Sequence, residues 1–145
     1  MSDPILPGRT GEGREEHLMP CRGIRGATTV ENNTREAILD ATRELLSEMI
    51  LANAVAKEDV ASAYFTTTPG LDAEFPAVAA RNDFGWTDVA LMCGHEMDVP
   101  GSLQMCLRIM LLVNTDRSQA DICHIYLRGA AVLRPDLAIA ATRRD

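Results

Sequence analysis

The stretch from Met105 to Asn114, MCLRIMLLVN, is almost wholly apolar except for Arg108, and no other feature constrains the fold so tightly. Read as a strand, its alternation sets Arg108 on one face with Cys106, Met110 and Leu112. An unpaired charge is not stable in such a setting, so the guanidinium must meet an anion. A protein carboxylate, a structural ion pair and a bound ligand all satisfy that demand, and this run alone does not choose among them.

The rest of the chain supplies a sheet and helices around this strand. Ile24 to Val30, within CRGIRGATTV, has the β-branched content of a strand, with Gly23 and Gly26 leaving room for another backbone or a ligand. A helix follows. Asn33 stands three residues before Glu36 as a capping box, and Ile38, Ala41, Leu45, Leu46 and Met49 form one apolar stripe. Lys57 to Asp59 turns the chain into a second strand, Val60 to Thr68, which Pro69-Gly70 stops. Phe75-Pro76 opens a short helix that ends near Gly85, with Pro76 in its first turn.

Val89 to Cys93 reads as a short buried strand, and Gly94 to Gly101 as a loop at the edge of the sheet. After Arg108's strand, Ile122 to Tyr126 and Ala130 to Leu133 are expected as two further strands. The order predicts an α+β fold, a single mixed β-sheet with helices packed on one face. The other face needs cover, and further copies of the same chain are its simplest source.

At 145 residues the chain fits one domain and buries roughly 70% of its unfolded surface, so neither disulfide nor metal is needed for folding. Residues 1–18 are expected as a flexible N-terminal tail, 19–137 as the folded domain and 138–145 as a C-terminal tail. No apolar run is long enough to span a bilayer, and the N-terminus lacks the pattern of a secretory signal. The net charge of -7 argues against broad attraction to nucleic acid, so an anionic ligand must be met locally. Lys57 is the only lysine among the 14 basic residues, and the arginines that remain are suited to bidentate grip on carboxylates.

Cys21, Cys93, Cys106 and Cys123 contain no C-x-x-C pair, and His17, His95 and His124 are scattered. No zinc template is expected, and the thiols read as reduced, in the cytoplasm. Ser62 and Ser102 lack a nucleophile-elbow context, and no glycine-rich phosphate loop is present. Arg25, flanked by Ile24 and Gly26, is a second guanidinium placed to face a ligand, and Glu96 lies in the loop after Cys93.

Four separated segments, RGIRGATTVE (Arg22 to Glu31), FPAVAAR (Phe75 to Arg81), CGHEMDVPGSL (Cys93 to Leu103) and YLRGAAVLRPDL (Tyr126 to Leu137), together resemble the monofunctional trimeric chorismate mutases of the bacterial pseudo-α/β-barrel type. The resemblance spans about residues 20–137. It implies rearrangement of chorismate to prephenate for phenylalanine and tyrosine biosynthesis, without cofactor or metal. It also implies a homotrimeric pseudo-α/β-barrel whose active sites lie between subunits, with no nucleic-acid or membrane partner.

Carried onto this chain, Arg25 and Tyr126 would bind a substrate carboxylate, and Arg108 would reach a carboxylate and the ether oxygen. Glu96 and Cys93 would contact the ring hydroxyl. Phe75, Ala77 and Leu133 would line the apolar part of the pocket, with Arg81 at its mouth and Arg134 on its C-terminal flank. The chain departs from the family pattern at Val78, where relatives carry lysine, and at Met92, where they carry threonine. A carboxylate-binding trimer without catalytic activity would carry similar arginines. Imine deaminases of the Rid type also form trimers with an arginine in the cleft, but lack GIRGATTVE and LRPDL.

Overall fold

The computed structural model describes residues 18–134. The two expected tails therefore lie outside the described residues apart from Leu18, as does the end of the LRPDL segment. In chain order the elements are strand β1 (Cys21–Thr29), helix α1 (Arg35–Asn53), strand β2 (Val60–Thr67), helix α2 (Ala77–Phe84), and strands β3 (Ala90–His95), β4 (Cys106–Asn114) and β5 (Ile125–Tyr126). They form one five-stranded mixed sheet in the order β3-β2-β4-β1-β5. The arginine-bearing strand β4 is central, antiparallel to both β1 and β2, while β3 and β5 join the edges in parallel.

Helix α1 covers one face of this sheet through the expected stripe, with Ile38, Ala41, Leu45, Leu46 and Met49 all buried. They meet Ile24 of β1, Phe65 of β2 and Leu107, Ile109 and Leu111 of β4 in a single apolar core. Gly26 is needed for that contact, because a Cβ there would overlap Met49 Sδ and stand 3.0 Å from Leu45 Cδ1. Its missing side chain thus admits a helix, not a ligand. No helix among the described residues is long and apolar enough to cross a membrane.

Several local expectations shift. The cap of α1 is Thr34, whose Oγ1 accepts from the Ala37 N–H at 3.2 Å. Asn33 instead receives the N–H groups of Asp72 and Ala73, both at 3.0 Å, and so fastens the loop leading to Phe75. Strand β3 is not buried; it is an edge strand that runs on through Gly94 and His95, and Met92 is 57% exposed. Within one chain β3 has a neighbour on one side only, so its apolar run has no cover on its outer flank.

The expected strand Ile122 to Tyr126 contracts to two residues because side chains take the backbone's partners. Asn53 Nδ2 donates to the Cys123 carbonyl and Asn53 Oδ1 accepts from its N–H, both at 2.8 Å. The segment expected as a strand at Ala130 to Leu133 is a 3-10 turn, Arg128–Leu133, whose Gly129 N–H reaches Thr29 Oγ1 at 3.1 Å.

No α-helix among the described residues covers the second face of the sheet, where the 3-10 turn Arg128–Leu133 packs through Ala130 on Ala27 and Cys106. Tyr64, Met92, Met110 and Leu112 lie on that face, each at least 40% exposed. The pairing of Met92 with Tyr64, Tyr64 with Met110, and Met110 with Arg25 makes one row across four strands.

Candidate active site

The next row across that face is Gly94, Thr66, Arg108 and Ala27, the last buried against Ala130. Together the two rows place Arg25, Tyr64, Thr66, Arg108 and Met110 around a cavity of about 240 Å³, which Glu96 closes from the residue after β3. Glu96 is set in place by its own N–H, which extends the β2–β3 ladder to the Thr67 carbonyl at 2.8 Å.

Arg108 Nη1 donates to Glu96 Oε2 at 2.6 Å. The anionic partner demanded by the apolar strand is therefore a protein carboxylate, but one on the cavity wall and not in the core. The pair is only partly buried, and it engages one edge of the guanidinium. Arg108 Nε is buried and has no hydrogen-bond partner among the described residues. Burial works against the Arg108 charge, yet the Cys106 sulfur and Glu96 outweigh it and raise its pKa. Burial also pushes the Cys106 thiol up, which leaves it protonated at neutral pH and makes Glu96 the operative counter-charge. Burial likewise disfavours the Glu96 carboxylate, but the Met97 N–H, Arg108 and Arg25 together hold its pKa below the ordinary range.

Two guanidinium groups and one carboxylate leave the cavity one positive charge in excess, which fits an anionic ligand. Arg25 stands 5.9 Å from the centre of the buried Tyr126 ring, in reach of a cation–π contact. Neither nearby thiol is an activated nucleophile, since burial raises Cys93 as well, against the Ala77 N–H and the Arg81 charge that lower it.

Arg25 is also held from behind: its backbone N–H donates to His124 Nδ1 at 3.0 Å. Burial, then the charges of Arg134 and Arg25, keep the His124 pKa below its usual 6.5. The unfolded chain binds a proton at His124 that the folded chain resists, so folding stability should fall as the pH drops below about 6.5 and level off under the folded-state pKa. Unfolding temperatures measured from pH 8 down to pH 5 should fall less steeply in His124→Asn, which keeps an acceptor but does not titrate. Equal slopes in variant and wild type would count against this placement.

The structure brings Arg25, Glu96 and Arg108 together, with Tyr126 beside Arg25. It does not bring the remaining expected residues to that cavity within one chain. Phe75 and Cys93 line a second, larger cavity of about 340 Å³ together with Glu74 and His95. Ala77 is buried at the start of α2, and Arg81 is exposed on the same helix. Leu133 packs near Tyr126, and Arg134 is exposed at the end of the described chain. The smaller cavity is the chemical one, because the guanidinium groups face it. Sequence alternation already sets Met110 on the face of Arg108, but it assigns neither Tyr64 nor Thr66 to the site. Alternation in VASAYFTTT puts Tyr64 and Thr66 on one face, but only the register shows that β2 lies beside β4.

Comparison with known proteins places the chain in a family. Residues 21–137 match the family described as chorismate mutase type I. The chain is 49% identical over 121 residues to the chorismate mutase AroH of Bacillus subtilis, covering 83% of this chain and 95% of that protein. It is 50% identical over 120 residues to the AroH of Thermus thermophilus, covering 82% of this chain and 98% of that protein. A solved chorismate mutase from Clostridium thermocellum superposes with a TM-score of 0.75 at 53% identity, covering 77% of this chain and 98% of that structure.

Proposed function

The chain belongs to the chorismate mutase type I family, and from that membership we propose how its residues rearrange chorismate to prephenate. A [3,3] sigmatropic shift moves no proton and forms no covalent intermediate with the enzyme. What accelerates it is restraint of the flexible enolpyruvyl arm over the ring, and fixed positive charge where the breaking C–O bond leaves negative charge.

The observation that carries the assignment is Arg108 itself: Glu96 holds one edge of its guanidinium, its buried Nε has no hydrogen-bond partner among the described residues, and the residue lines the same cavity as Arg25. Arg108 bonds the ether oxygen and a substrate carboxylate. Arg25, with Tyr126, holds a carboxylate, and Glu96 and Cys93 meet the ring hydroxyl. Phe75, Ala77 and Leu133 supply apolar wall, with Arg81 and Arg134 at the rim. Val78 leaves the entrance without the family's lysine, and Met92 replaces a polar threonine with thioether surface.

Within one chain Arg25, Glu96 and Arg108 line one cavity and Phe75 and Cys93 another, and a homotrimer reunites them, one subunit's Phe75 and Cys93 closing on its neighbour's Arg108. The bare sheet face supports this reading, because Tyr64, Met92, Met110 and Leu112 form an apolar surface of the kind that subunit interfaces bury. A barrel of three such sheets ringed by helices follows. We place the enzyme in the cytoplasm, where the four thiols would stay reduced.

The purified protein should consume chorismate saturably and sediment as a trimer. Leu112→Glu, which puts a charge on the bare face, should yield monomers with at least a hundredfold less turnover, roughly the cost of losing an assembled site. Full turnover by monomeric Leu112→Glu would sink the shared-site reading, and saturable chorismate binding without turnover would favour a carboxylate sensor.

A further inference from the structure

Three buried side-chain polar atoms among the described residues have no hydrogen-bond partner: Arg108 Nε, Tyr126 Oη and Thr66 Oγ1. Two belong to residues already placed at the substrate. The third belongs to a residue outside every motif in the sequence, yet it lines the same cavity. Resting on the chorismate mutase assignment, we propose that Thr66 is a substrate-binding residue whose hydroxyl donates a hydrogen bond to the carboxylate held by Arg108.

Thr66 is the direct cross-strand partner of Arg108 in the β2–β4 ladder, which sets their Cβ atoms about 5 Å apart on the same face. Both residues line the same cavity, and each carries a polar atom that no group among the described residues satisfies. A ligand oxygen there receives both the guanidinium N–H and the hydroxyl. The arrangement also explains why a buried hydroxyl persists without a partner, since a buried donor left unpaired costs stability and a valine of the same shape would not. Arg108 cannot turn fully toward Thr66, because its Nη1 is committed to Glu96 at 2.6 Å. The hydroxyl is therefore left to the ligand.

A purely structural threonine and a substrate-binding one predict opposite outcomes for Thr66→Val. Removal of an unpaired hydroxyl should leave the unfolding midpoint and the sedimentation of Thr66→Val at or above wild-type values. The KM for chorismate should rise about tenfold or more, the value of one hydrogen bond to a charged group, with kcat little changed. Thr66→Ser, which restores the hydroxyl, should return KM to near the wild-type value.

An unchanged KM in Thr66→Val, or a loss confined to kcat, overturns the carboxylate contact. A lowered unfolding midpoint or a dissociated oligomer in that variant overturns it too, since the hydroxyl would then be bonded to protein. Wild-type protein without turnover would instead overturn the parent assignment.

Discussion

Replacing Arg108 with alanine should lower kcat by about 10²–10³, a loss of ~3–4 kcal/mol in transition-state stabilisation. The loss arises because the guanidinium acts where charge develops, and water admitted in its place is not oriented in advance. Arg108→Lys should recover little. Arg108 has to hold Glu96 through Nη1 and keep further N–H groups for the substrate at the same time, and a single ammonium lacks that fixed fork. Steady-state kinetics on both variants, with circular dichroism to confirm folding, test this. Since Arg108→Ala also strands the Glu96 carboxylate, the double variant Arg108→Ala/Glu96→Gln separates the two effects. It should remain as slow as Arg108→Ala, and a wild-type kcat in either variant would rule out the electrostatic role.

The largest expected effect on stability lies directly beneath the site. Phe65 is fully buried in the centre of β2, between the cavity residues Tyr64 and Thr66, and its cross-strand neighbours are Ile109 and Cys93. Phe65→Ala should destabilise the fold by about 3–5 kcal/mol, through lost burial and the cavity left behind. Against a total stability of roughly 5–15 kcal/mol this is a large share. Phe65→Leu, nearer in volume, should cost under about 1.5 kcal/mol. Denaturant unfolding at one fixed protein concentration measures both, and a loss below about 1 kcal/mol in the alanine variant would show that β2 does not anchor the core.

Strand β2 thus carries the core on one face and the candidate cavity on the other. Loss of packing there should reach substrate binding through Thr66, whose position depends on the register with Arg108.

How far the sequence reveals this protein depends on which interactions are local. Amphipathic periodicity identified α1 and its buried stripe, because a 3.6-residue period is a property of consecutive side chains. The strands around Arg25, Phe65 and Arg108 were legible for the same reason, and so was the need of Arg108 for an anion. Edge elements were not. β5 shrinks and the Ala130 segment curls because Asn53 and Thr29 supply hydrogen bonds from far along the chain, while the His124 ring itself accepts the Arg25 N–H. The exposure of β3 follows from its place at the end of the sheet order, which alternation does not encode.

The catalytic constellation divides along the same line. Residue chemistry showed only that Arg108 needs an anion, and motif order, through the family resemblance, is what singled out Arg25, Glu96 and Arg108 for the proposed contacts with a carboxylate-bearing substrate. Strand register alone decided that Glu96 grips one edge of Arg108, that Thr66 stands opposite it, and that Phe75 and Cys93 face another cavity. Register is a long-range property: a shift of one residue turns every side chain to the other face, and only the packed helix on the far side fixes which face is left for chemistry.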